Sequence, residues 1–173
     1  MGVSGTGKST VGTLLAERLG VPYAEADVLH PPANIAKMAA GTPLDDADRA
    51  PWLDLVGDWA RAHRAGGGVI GCSALKRAYR DRLRAAVPGA RLFFVHLTGD
   101  RALIASRLAD RTGHFFPGAL LDSQFAALEP LAADEEGVAI SVAHPPQAIA
   151  ERAAAAVPRI VAPGCGVPEA AAP

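Results

Sequence analysis

The segment Gly2-Val3-Ser4-Gly5-Thr6-Gly7-Lys8-Ser9 carries three glycines, the first and last five apart, with a lysine and a hydroxyl directly after the last. Glycine lets a chain turn successive N–H groups to one side, where they form a concavity for phosphate oxygens. A helix beginning at that point adds the equivalent of about half a positive charge at its N-terminus. Lys8 can then reach the outer phosphates, the Ser9 hydroxyl can ligate Mg²⁺, and Thr10 is placed for a further phosphate contact. Residues 2–10 are therefore read as a cradle for the phosphates of a nucleotide.

Such a loop is shared by kinases, GTPases and motor ATPases. No Asn-Lys-x-Asp guanine signature occurs, and no long apolar strand ends in an Asp or Asp-Glu pair. The acid in the right place is Asp27, at the end of the second apolar segment. There it could orient an acceptor hydroxyl or take its proton; the competing reading is a cap on the turn before His30-Pro31-Pro32. Arg107 and Arg111 are four apart, on one helix face, and His114 follows Gly113. Opposite a triphosphate this pair would neutralise developing charge as part of a closing loop; otherwise it is a solvated basic face.

Lysine is scarce. Of 17 basic residues only Lys8, Lys37 and Lys76 are lysines. A compact ammonium and a planar guanidinium are not interchangeable at tight sites, so Lys76, and with less support Lys37, become candidates for substrate contact.

The elements that must position these groups alternate. Helical spacing runs over 8–19, 45–64, 75–86, 100–108, 120–128 and 146–156. Short apolar runs of strand type lie at 21–24, 69–72, 92–97 and 138–142. Alternation of this kind calls for parallel strands covered on both faces, an α/β fold. A phosphate loop ordinarily follows a buried strand, yet only Met1 precedes Gly2. The first strand is thus missing from the sequence, and a misplaced start is the expectation. After Ile160 the chain turns to Pro, Gly and Ala, which is read as a disordered tail over 161–173.

Composition narrows the class. At 173 residues the chain is near the ~150 expected of one domain. Its net charge of −1 argues against a dedicated nucleic-acid binder. No apolar run approaches the ~20 residues of a membrane span, and no secretory leader is legible, so a cytoplasmic protein is expected. Cys72 and Cys165 make neither a disulfide framework nor a metal spacing.

Taken together, several segments resemble the bacterial gluconokinase family of sugar-acid kinases. They are residues 1–9, 27–31 (Asp27 to His30-Pro31), 34–38, 41–53 (Pro43-Leu44-Asp45-Asp46-Ala47-Asp48-Arg49-Ala50-Pro51-Trp52-Leu53), 72–81, 113–115, Ser123-Gln124 and 128–130. The 27–31 and 43–53 segments are specific to that family rather than to phosphate loops in general. The resemblance covers residues 1 to about 160. It implies a three-layer α/β/α P-loop fold, with 30–64 as the acceptor-binding helical region and 107–119 as a lid. It also implies phosphorylation of the 6-hydroxyl of D-gluconate by ATP and Mg²⁺. By that carry-over Gly2 to Ser9 hold triphosphate and metal, and Asp27 faces the acceptor hydroxyl. His30, Arg49, Ser73, Lys76 and Arg80 become candidates for acceptor contacts, and Arg107, Arg111 and His114 for the lid. Similar bacterial enzymes are often dimers, so a homodimer is a further expectation, with no nucleic acid and no membrane as partner. The rivals are another small-molecule kinase of shikimate- or nucleotide-kinase type, and a nucleotide binder without catalysis.

Overall fold

A computed structural model describes residues 1–109 and 118–158 of the chain. The phosphate loop runs straight into α1 (Lys8–Leu19), followed by β1 (Tyr23–Glu25), a 3-10 turn (Ala26–Leu29), α2 (Pro32–Ala39) and α3 (Asp46–Ala62). Then come β2 (Val69–Gly71), α4 (Arg77–Ala86), β3 (Phe94–Thr98), α5 (Arg101–Ala109), α6 (Gly118–Ala127), β4 (Gly137–Ser141) and α7 (Pro146–Ala156). The alternation read from the sequence is thus present. Helix α2 was not resolved from the periodicity, because Pro31-Pro32 reads as a turn; Pro32 instead occupies the first turn of the helix, where a missing N–H costs nothing.

All strand pairing is parallel. β1 lies beside β2, with Tyr23 opposite Val69, and β3 beside β4, with Phe94 opposite Gly137. Among the described residues no strand lies between the two pairs; Met1 and Gly2 connect them. The Leu97 N–H donates to the Met1 carbonyl at 2.9 Å, and the Gly2 N–H to the Ser73 carbonyl at 3.1 Å. The mouth of the phosphate loop is therefore tied both to β3 and to the turn after β2.

Side chains alternate across β3, and the alternation sorts the core. Leu97 faces a layer built with Val11 and Leu15 of α1, Ile140 and Val142, and Ile149, Ala150 and Ala153 of α7. Phe94 faces the opposite layer, with Trp52, Leu53 and Val56 of α3 and Tyr79 and Leu83 of α4. These make the two helical layers of an α/β/α sandwich. A third cluster, Val3, Leu75, Ile104, Leu108 and Leu121, lies beneath the phosphate loop and ties it to α5 and α6.

Helix α3 owes its start to the acids at 45–48. The Asp45 carboxylate accepts from the Asp48 N–H at 2.8 Å, and the Asp48 carboxylate accepts from the Asp45 N–H at 3.0 Å. This reciprocal cap satisfies two donors that the first turn would leave without partners. Asp48 also takes Lys37 of α2 at 2.6 Å, joining α2 to α3.

Candidate active site

The phosphate loop is shaped by glycine. A side chain at Gly2 would meet the Leu97 carbonyl oxygen at 2.7 Å, against the very strand that anchors the loop. At Gly7 nothing stands within 4 Å, and there the left-handed φ of 86° is itself the requirement. Thr6 Oγ1 donates to the Val3 carbonyl at 2.8 Å, closing the loop from inside. Lys8 Nζ donates to the same carbonyl at 3.1 Å, so its ammonium lies folded over the loop. The first N–H groups of α1 have no acceptor within the helix and open the concavity that phosphate oxygens require.

Ser9 and Thr10 are exposed on the first turn of α1. The Ser9 hydroxyl donates to Glu25 Oε2 at 2.6 Å, and the Tyr23 hydroxyl donates to the same oxygen at 2.7 Å. Burial, together with the Glu25 carboxylate, pushes the Tyr23 hydroxyl well above its usual range. Glu25 was not singled out in the sequence. Its signal was position: it ends β1, two residues before Asp27, at the strand end that opens onto the ligand crevice of an open α/β sheet. The serine hydroxyl and a carboxylate form an all-oxygen donor pair of the kind Mg²⁺ prefers.

Asp27 is exposed, on the 3-10 turn after β1. The turn is fixed from below by Trp52, whose Nε1 donates to the Ala26 carbonyl at 2.7 Å. His30 is stacked on the Trp52 ring at 4.4 Å, with Asn34 Nδ2 3.4 Å from its Nδ1. Burial lowers the His30 pKa, and the Asp27 charge opposes that shift. His30 is thus a buried group close enough to Asp27 to feel its charge.

A cavity of about 520 Å³ is lined by residues 43–47, Arg49, Lys76, Ser123 and Ala127. Lys76 Nζ bonds both Asp46 oxygens, at 2.7 and 2.9 Å, and the Tyr79 hydroxyl donates to one of them. These bonds, Lys76 first and Tyr79 second, hold the Asp46 carboxyl below its usual range, and Asp46 in turn raises Lys76. Arg49 and Lys76 lie 5.8 and 5.6 Å from the centre of the Tyr79 ring, and Arg49 Nη1 donates to the Leu44 carbonyl. Two cations thus border one cavity. Ser73, half-buried, and Lys76 flank Ala74, a non-glycine residue at φ 41°, in the turn that carries both.

Three sequence candidates lie elsewhere. Arg80 is withdrawn from the acceptor set: its side chain is completely buried and meets Glu135 through Nε and Nη2, both at 2.7 Å. Its remaining bonds go to the carbonyls of Ala74, Leu75, Glu129 and Pro130, so no donor is left for a substrate. In an arginine-rich helix the sequence did not distinguish Arg80 from its solvated neighbours; it shares the buried face with Tyr79 and Leu83. Lys37 pairs with Asp48 rather than pointing into the cavity. Arg107 donates to the Val142 carbonyl at 2.8 Å, at the end of β4. Arg111 and His114 lie outside the described residues.

A phosphate cradle on a sheet of parallel strands, together with an acid at a strand end and a cation-lined cavity, defines a P-loop phosphotransferase, and residues 1–131 match the AAA-domain family. A gluconokinase of Gluconobacter oxydans is 51% identical over 153 residues, covering 87% of this chain and 85% of that protein. The thermoresistant gluconokinase of Escherichia coli is 47% identical, over 81% of this chain and 80% of its own length. The crystal structure of a gluconokinase from Sinorhizobium meliloti superposes with a TM-score of 0.83 at 47% identity, covering 90% of this chain and 87% of that one. The chain belongs to the gluconokinase family.

Proposed function

We propose that this protein transfers the γ-phosphoryl group of ATP to the 6-hydroxyl of D-gluconate, giving 6-phospho-D-gluconate. The observation that carries this reading is the placement of Arg49 and Lys76 around one cavity, with the Arg49 charge reaching His30 at the end of the turn that carries Asp27. A sugar acid needs a cationic subsite for its carboxylate and an acid or base at the far hydroxyl.

On this reading the Lys8 ammonium and the N–H groups of the loop and first helical turn hold the triphosphate, except those of Gly2 and Ser4, which are taken by Ser73 and Gln124. Ser9, with Glu25 behind it, would hold Mg²⁺, which when bound neutralises charge on the phosphate oxygens. Asp27 orients the acceptor hydroxyl and accepts its proton as the oxygen attacks. Arg49 and Lys76 take the carboxylate, with Ser73 and His30 along the acceptor wall. The catalytic effect is positioning plus charge stabilisation, as in phosphoryl transfer generally.

A substrate panel tests the reading: gluconate, shikimate, nucleoside monophosphates and uncharged glucose, each with ATP and Mg²⁺. Gluconate is expected to be turned over best, and glucose poorly for want of a carboxylate. Preference for shikimate or a nucleotide would overturn the acceptor assignment.

A further inference from the structure

Gln124, on α6, is 120 residues from the phosphate loop in sequence, yet it grips that loop directly. Its Oε1 accepts from the Ser4 N–H at 2.7 Å. Its Nε2 donates to Ser4 Oγ at 3.1 Å. A carboxamide offers one acceptor and one donor side by side, and here both are used on a single serine. Two bonds fix rotation as well as distance, where one would leave a pivot.

The same helix borders the acceptor. Ser123 and Ala127 line the cavity that holds Arg49 and Lys76. Leu121 packs with Val3 of the loop and Leu75 of the turn leading to Lys76. Helix α6 therefore touches the acceptor cavity through two residues and the donor loop through the residue between them.

We propose that Gln124 is a positioning residue for the transfer: its double bond to Ser4 sets the separation between the phosphate loop and the acceptor wall. The inference rests on the kinase reading above. Transfer in line is sensitive to displacements of about 1 Å, and the clasp joins the two surfaces that must hold that distance. It acts on the chemical step more than on the binding of either substrate alone.

The test uses the full chain with ATP, Mg²⁺ and gluconate, assayed well below each variant's Tm. Gln124→Met keeps the bulk and removes both bonds; Gln124→Ala is the second variant should methionine fail to fold. Either is expected to lower kcat about tenfold or more, with both KM values within about threefold of the parent. Ser4→Ala keeps the N–H bond and should lose less. The double variant should be no slower than the Gln124 variant alone, because the Ser4 hydroxyl then has no partner to lose. A kcat within threefold of the parent, a loss carried by KM for ATP, or losses that multiply in the double variant would each overturn the proposal. A purely structural clasp would lower Tm and leave kcat unchanged. The parent is assayed first: failure to phosphorylate gluconate defeats the proposed function, whereas an active parent leaves these outcomes to judge the clasp alone.

Discussion

Asp27 and Glu25 stand two residues apart and are assigned different work, and substitution separates them. Asp27 is exposed on the turn after β1, outside the phosphate loop, so Asp27→Asn is expected to lower kcat by about 10²–10⁴-fold while ATP affinity changes little. Equal loss of both, measured by steady-state kinetics and nucleotide titration, would make Asp27 structural. Glu25 holds the Ser9 hydroxyl at 2.6 Å. Glu25→Gln should therefore raise the Mg²⁺ concentration needed for half-maximal rate, with gluconate KM unchanged; an unaltered Mg²⁺ dependence would remove Glu25 from the metal site. Lys8 was legible from spacing alone because a phosphate loop is local. Glu25 was not, since its importance comes from meeting Ser9 across the strand–helix crevice.

At the scale of the element, the acids 45–48 show how one short segment divides its labour. Asp45 and Asp48 cap α3 reciprocally, Asp48 also binds Lys37, and Asp46 is left to meet Lys76 and Tyr79. Removing the cap with Asp45→Ala should cost ~1 kcal/mol of stability, read as a lowered Tm, with turnover preserved at moderate temperature. Asp46→Ala should leave Tm nearly unchanged, since its ion pair is exposed, yet alter gluconate KM, because it borders the same cavity as Lys76. The reverse pattern would exchange their roles. Most helices and strands were legible because amphipathic period survives in local sequence; α2 was not, because Pro-Pro signals a turn and a helix N-terminus equally well.

Across the whole molecule, the buried pair Arg80–Glu135 binds α4 to the segment after α6, and four carbonyls complete the arginine's coordination. Breaking such a pair by removing one partner typically costs about 3–5 kcal/mol, a large part of a domain's total stability. Arg80→Met should show this in urea unfolding. Arg80 holds Glu135 well below the usual carboxylate range. A depressed carboxylate stabilises the fold above its unfolded pKa of about 4.3, and that contribution is lost as pH falls further. The difference between the parent and Glu135→Gln should accordingly shrink below that pH. His96 acts at higher pH. Burial first, and nearby positive charge second, lower it to about 4 from the ordinary 6.5, and its Nε2 has no hydrogen-bond partner among the described residues. The unfolded chain then takes up a proton that the folded chain refuses, so stability should fall as pH drops from 6.5 towards 4. His96→Leu should flatten that slope; an unchanged slope would exonerate His96.

The sequence by itself determined the phosphate loop, the alternation of strands and helices, and the motifs that mark the family. All three are local patterns, written in spacing, cap chemistry and periodicity. Only the tertiary structure decided where each cation is placed. Lys76 and Arg49 border one cavity, while Arg80, three residues beyond Arg77 on the same helix, is drawn into the core by Glu135, which lies 55 positions away. It also decided that Gln124 meets Ser4. Partners so distant in sequence are brought together by the packing of layers, and no periodicity within either segment encodes the meeting.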